Sequence, residues 1–229
     1  MIEGLIALLV AVVAFVGTHF VLSHPLRAPL VGALGEGGFQ LLYGLVSVTL
    51  LLLALVAYHR APHAPVYWSS DNLVLQIVFS VGSCFAAALF VASLIDNPAF
   101  IGAQIADLST RPPSGVYLIT RHPMMFAIAI WSVEQTLINP TVRNLIVFGG
   151  FVVLALAGSR LQDRKKIAQT GREWSVWASR TPFWPDLRRW RRLGLSWLFG
   201  IALWLTLTWL ESHVTLTPIG AWYWLPGLT

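Results

Sequence analysis

The sequence predicts an all-α, polytopic integral membrane protein: a bundle of about six transmembrane helices with an amphipathic cytoplasmic segment and a C-terminal interfacial tail. Three observations predict that class. Hydrophobic residues make up 56% of the 229 and charged residues only 11%. The mean hydropathy is +0.70, well above that of an ordinary soluble domain. Six apolar runs, at about 2–22, 38–58, 73–95, 121–138, 144–161 and 195–211, approach the roughly 20 residues that a hydrocarbon core of roughly 30 Å requires. Little chain remains between them, so 1–229 reads as a single membrane domain.

The first run has Glu3 as its only early charge and no cleavage site before a soluble part, so it is expected to stay as a helix. Ser23-His24-Pro25-Leu26-Arg27-Ala28-Pro29 and Gly35-Glu36-Gly37-Gly38 then predict a short loop of helix breakers. A loop from His59 to Asp71 carries Pro62 and Pro65, with Tyr67 and Trp68 suited to a membrane interface. Turn chemistry dominates Asp96 to Gly115, with a short surface helix expected across Ala99 to Leu108. Pro123 suits the first turn of the fourth helix, which ends at Asn139-Pro140. The fifth run is expected to continue through Gln162-Asp163-Arg164-Lys165-Lys166 up to Gly171. Arg172-Glu173-Trp174-Ser175-Val176-Trp177 reads as a second helical piece with both tryptophans at the lipid surface, and Phe183-Trp184-Pro185 ends it. A last helix and tail occupy 195–229, where Pro218 and Pro226 predict an interfacial tail rather than a seventh span.

Net charge of +5 and a pI near 9.9 raise nucleic acid as a partner, but the charge distribution argues for a bilayer. Ten of the fifteen basic residues lie between the fifth and sixth runs, from Arg160 to Arg192. Such a loop is first a topology signal. It predicts a cytoplasmic segment over 160–194 and both chain ends outside, because six crossings return the chain to its starting side. Acidic phospholipid would suit the same basic residues.

That topology sorts the six histidines by depth. The first helix ends near His19 on the side where the fourth begins at His122, whereas His59, His63 and His213 fall on the opposite side. His24, followed by Pro25, is a shallower competitor to His19. Two neutral imidazoles from neighbouring helices at the membrane edge form a bis-histidine site for haem iron. Arg121 and Arg27 are placed to meet the propionates. Glu134 lies roughly 18 Å along the fourth helix from His122, at about 1.5 Å per residue. It is turned about 120° away. An acid in such a run is a functional candidate, and Gln135 or Gln76 would be its partner in a purely structural role. Met124, Met125 and Cys84 read as packing residues, and a single cysteine excludes an intramolecular disulfide and thiolate-cluster metal sites.

Several motifs in order resemble the NnrU family. They are Gly17-Thr18-His19-Phe20-Val21-Leu22-Ser23-His24-Pro25-Leu26-Arg27, Leu34-Gly35-Glu36-Gly37-Gly38-Phe39 and Leu42-Tyr43-Gly44-Leu45-Val46-Ser47. Ile119-Thr120-Arg121-His122-Pro123-Met124-Met125, Asn139-Pro140, Leu161-Gln162-Asp163-Arg164-Lys165-Lys166 and Gly171-Arg172-Glu173-Trp174 follow, so the resemblance covers about 15–185. Members are bacterial membrane proteins linked by name to nitrite and nitric oxide reduction, and the family is similar to plant 15-cis-zeta-carotene isomerase, a haem b enzyme. The resemblance implies a bacterial inner-membrane protein with haem b on His122 and His19. Its function would be isomerisation of a polyene-like, apolar lipid substrate or an accessory role in nitrogen-oxide respiration. Relatives often carry Ala-His where this chain has Glu134-Gln135, so a third-histidine role is absent.

The C-terminal half also resembles isoprenylcysteine carboxyl methyltransferases, through Arg121-His122-Pro123, Asn139-Pro140, Gly171, Glu173, Trp174 and Phe183-Trp184-Pro185. That similarity implies S-adenosylmethionine near the cytoplasmic face, although Gln162-Asp163 replaces the paired glutamates of that family. A third reading is a non-catalytic scaffold for a reductase complex, acting through the basic loop.

Overall fold

A computed structural model describes residues 2–62, 67–69, 72–100, 103, 107–215 and 217–225. All regular structure among them is helical: α1 (Ile2–Ser23), α2 (Arg27–Arg60), α3 (Leu73–Ser93), α4 (Pro123–Ile138), α5 (Val142–Thr170), α6 (Arg172–Arg180), α7 (Ser196–Thr215) and α8 (Ala221–Trp224), with 3-10 segments at Gly115–Leu118 and Leu187–Leu193. The all-α expectation holds. Of the six apolar runs, four give helices long and apolar enough to cross a membrane, α1, α2, α3 and α5. A fifth follows if Leu187–Leu193 and α7, bent by 96°, count as one span, and the fourth run makes the 16-residue α4.

The chain packs as two compact units, one of 1–69 with 135–154 and one of 70–134 with 155–229. In the first, α1 buries Leu8, Val12, Phe15 and Val16, a stripe at helical spacing. They meet Ala54 of α2 and Val147, Phe151 and Leu154 of α5. The approach is close at Gly150, where a Cβ would lie 2.4 Å from Val12 Cγ1. Tyr58 donates to Asn144 Oδ1 (2.6 Å), and Asn144 donates to the Asn139 carbonyl (2.7 Å). Trp68 Nε1 donates to the Leu137 carbonyl at 2.9 Å.

The loop expected after the first run is instead mostly helix. α2 begins at Arg27, and Pro29 falls in its first turn, where the missing N–H costs nothing. The Gly-rich stretch becomes a break inside α2 at Gly35 (φ 71°, ψ 170°), a backbone region that glycine enters without a Cβ clash. His59 and His213, expected in or beyond loops, lie in the last turns of α2 and α7. His63 lies outside the described residues, as does most of the short helix expected across 99–108.

In the second unit, α3 and α7 pack backbone against backbone, with a Cβ on Gly200 falling 2.5 Å from Ala88 Cα. The core joins Leu89 and Ala92 of α3, Leu108, Tyr117, Ile119 and Ala127 to Trp174 and Trp177 of α6. Those two tryptophans are 0% and 2% exposed, which corrects their expected place at the lipid surface. The amphipathic face of α6 covers protein rather than lipid. The C-terminal tail also folds back: Trp222 Nε1 donates to the Leu205 carbonyl (3.2 Å) and Thr208 Oγ1 (3.1 Å), and Trp224 Nε1 to Ser80 Oγ (3.1 Å). Gly220 (φ 59°) makes that turn.

Candidate functional site

A dense polar cluster lies in the second unit, where α4 begins. Residues Ile119 to Arg121 run beside Pro182 to Asp186: Arg121 N–H donates to the Pro182 carbonyl (2.9 Å), Asp186 N–H to the Ile119 carbonyl (2.9 Å), and Thr120 Oγ1 to the Phe183 carbonyl (2.6 Å). This pairing aims Arg121 and His122 at Asp163, one turn beyond the apolar part of α5. Arg121 donates Nε and Nη2 to Asp163 Oδ2 at 3.0 and 2.8 Å, a forked, charge-assisted pair. Its Nη1 reaches the Thr181 carbonyl at 2.9 Å. His122 Nε2 donates to Asp163 Oδ1 at 3.0 Å, and Trp174 Nε1 donates to the same oxygen at 3.0 Å. On the other side of the imidazole, Gln162 Oε1 lies 3.2 Å from Nδ1. The amide either turns to donate into the Nδ1 lone pair or accepts from a protonated ring. Both ring nitrogens are engaged in either case.

A small cavity of about 30 Å³ adjoins this clasp, lined by Asn97, Phe100, Met124, Met125 and Gln162 among others. A water needs roughly 10–15 Å³ of such space, so it has room for about two waters. Deeper along α4, Glu134 is 5% exposed and its Oε2 has no hydrogen-bond partner among the described residues. The carboxyl occupies the room left by Gly82 of α3, where a Cβ would fall 1.6 Å from Oε1.

In the first unit, His19 donates Nδ1 to the Phe15 carbonyl at 2.7 Å, and its ring lies 4.4 Å from that of Phe15 and 5.4 Å from that of Tyr43. His24 Nδ1 is shared between Ser23 Oγ (3.0 Å) and the Phe20 carbonyl (3.2 Å). Arg27 is paired with Glu36 and lies over the Phe39 ring.

A family model described as NnrU protein matches residues 7–219. The chain belongs to the NnrU family. No curated protein and no solved structure matches it. The matched span takes in α1 through α7 of this NnrU protein, beyond the 15–185 over which its motifs are recognisable.

Of the residues singled out in sequence, the NnrU fold brings Arg121 and His122 into one clasp and leaves Glu134 farther along α4. Gln162 and Asp163, the centre of that clasp, went unassigned. Asp163 carried one signal: it is the only acid among Arg160, Arg164, Lys165 and Lys166. Haem b asks for imidazole lone pairs and for cations at its propionates. His122 has no lone pair to give in this geometry, and Arg121 is taken up by Asp163 and the Thr181 carbonyl. His19 does fit: a proton on Nδ1 leaves the Nε2 lone pair unengaged among the described residues. Among the described residues, no group of three His, Cys, Asp or Glu side chains suits a metal ion.

Proposed function

We propose that this NnrU-family membrane protein binds haem b, with His19 as an iron ligand. The observation that supports this reading is the His19 tautomer. The Phe15 carbonyl takes the Nδ1 proton and keeps Nε2 as a donor atom for a metal. The same helical bond occurs at His24, His59 and His213; the last two rings are exposed and His24 shares its Nδ1 with Ser23 Oγ, whereas the His19 Nδ1 bond is the shorter and its half-buried ring lies beside two aromatic rings. Haem held there supplies a redox-active iron beside apolar lipid, which suits either isomerisation of a polyene-like lipid or an accessory role in nitrite and nitric oxide respiration. His122, held by Asp163 and Gln162, is not a ligand on this reading. The basic segment 160–194 belongs in the cytoplasm of a bacterial inner membrane on this reading, with both termini outside.

The test is an absorption spectrum of purified protein, oxidised and reduced. Wild type is expected to show a Soret band that shifts on reduction, and His19→Ala to lose it. His122→Ala is expected to keep haem in proportion to folded protein. A colourless protein from haem-replete cells that takes up no added hemin, or an undiminished Soret band in His19→Ala, overturns the reading.

A further inference from the structure

The segment Leu187-Arg188-Arg189-Trp190-Arg191-Arg192-Leu193 folds as 3-10 helix, with a mild kink at Arg189 (φ −97°, ψ 15°). At three residues per turn, Leu187, Trp190 and Leu193 fall on one ridge and arginines on the two ridges beside it. The apolar ridge runs from open to closed: Leu187 is 61% exposed, Trp190 47% and Leu193 only 4%.

The segment is tied at both ends. Asp186 accepts from Arg188 N–H (3.2 Å) and pairs with Arg189 (3.1 Å), while its own N–H is tied to Ile119. At the other end Gly194 (φ 52°) makes the elbow, and Trp197 Nε1 donates to the Trp190 carbonyl at 3.1 Å. Beyond the elbow α7 turns away by 96°, exposing Leu198, Phe199, Leu207 and Leu210 as a lipid-facing helix does. An α7 that crosses a bilayer therefore lays the 187–193 segment along the bilayer surface. Arg188, Arg191 and Arg192 are exposed there and make no ion pair among the described residues.

We propose that this elbow is a binding site for anionic phospholipid headgroups. The guanidinium forks of Arg188, Arg191 and Arg192 take the phosphate oxygens, and Trp190 sits at headgroup depth with Leu187 below it. Arg189 is set apart by Asp186. Arg188, Arg191 and Arg192 have no acidic partner among the described residues, and a membrane leaflet supplies one at the depth the elbow dictates. The site is independent of haem.

The test uses the full chain in nanodiscs of phosphatidylglycerol or of phosphatidylcholine. Phenylglyoxal modification of each arginine is read by peptide mass spectrometry. Phosphatidylglycerol is expected to slow modification of Arg188, Arg191 and Arg192 relative to phosphatidylcholine, with Arg189 changing least. Retention of phosphatidylglycerol over phosphatidylcholine by the detergent-purified protein is expected to be roughly tenfold or more, since each surface arginine contributes about fivefold toward an anionic leaflet. The R188Q/R191Q/R192Q variant is expected to lose that preference and R188K/R191K/R192K to keep part of it. Equal modification in the two lipids overturns the proposal, whether or not the glutamine variant inserts. Protection by inorganic phosphate alone assigns a free-anion site and also overturns it, as does shielding seen only in native membranes, which points to an acidic protein partner.

Discussion

Asp163 is the residue on which the second unit's polar interior depends. Its carboxylate accepts from Arg121, His122 and Trp174 at once, and Trp174 is fully buried. Asp163→Ala takes the acceptor from Nε and Nη2 of Arg121 and from an indole N–H in a site that admits little water, leaving the guanidinium only its Nη1 bonds to backbone carbonyls. Removing one partner of a buried pair costs about 3–5 kcal/mol. The Arg121 side chain keeps 15% exposure, which puts the expected loss near the lower end. Thermal unfolding in detergent measures it, and an unchanged melting temperature rules the clasp out as a stabilising feature. Arg121-His122-Pro123 stood out in sequence because a helix start and an apolar run adjoin it. Its acceptor did not, because hydrophobic periodicity carries no information about a partner some forty residues along the chain. Gly82 was illegible for a related reason: its role exists only opposite Glu134, on another helix.

At the level of elements, α6 and the α3–α7 pair depend on different interactions. α6 is pinned at its start by Glu173, which accepts from Ser109 N–H at 2.7 Å and from its hydroxyl at 2.9 Å. These bonds, the backbone one first, hold the Glu173 carboxyl below the usual range. A carboxyl depressed in the folded state contributes stability above its unfolded pKa, and that contribution is lost as pH falls through the folded value. Acidification below about pH 4, the ordinary glutamate range, is expected to loosen α6 and change the fluorescence of Trp174 and Trp177. Glu173→Gln is expected to remove this acid step, and an acid step of the same size in that variant refutes the assignment. The α3–α7 contact rests instead on small residues, which let backbones approach where lipid provides no hydrophobic drive. Gly200→Ala meets the Ala88 backbone, so the helices must part at a cost of about 1–3 kcal/mol. Gly82→Ala meets only the Glu134 side chain. Glu134→Ala is therefore expected to rescue Gly82→Ala but not Gly200→Ala in thermal melts, and equal rescue of both contradicts this division. α6 itself was legible as a helix from its sequence. Its burial was not, because a two-tryptophan face looks the same whether lipid or protein covers it.

For the whole molecule, composition reveals the membrane and the helices, since apolar runs of bilayer length have few other uses. The number of crossings is harder to read, because it depends on where helices break. Gly35 falls inside α2, and the elbow at Gly194 separates α7 from its arginines. α7 and α4 together decide the parity. The 16 residues of α4 span about 24 Å at 1.5 Å per residue, some 6 Å short of a typical hydrocarbon core. Mismatch of that size is met by local thinning at fractions of a kcal/mol per Å. Burying Arg121 in the clasp with Asp163 also spares the bilayer its charge at the start of α4. Six crossings are therefore expected, with both ends on the side opposite the 160–194 segment. Cys84, the only cysteine, makes the check direct: in a Cys84→Ala background, single cysteines near Ile2, in the 164–192 segment and near Leu225 are labelled with a membrane-impermeant maleimide in intact cells. The two ends are expected to label and the basic segment only after lysis. Labelling of one end alone makes the number of crossings odd and removes α4 or α7 from the spans.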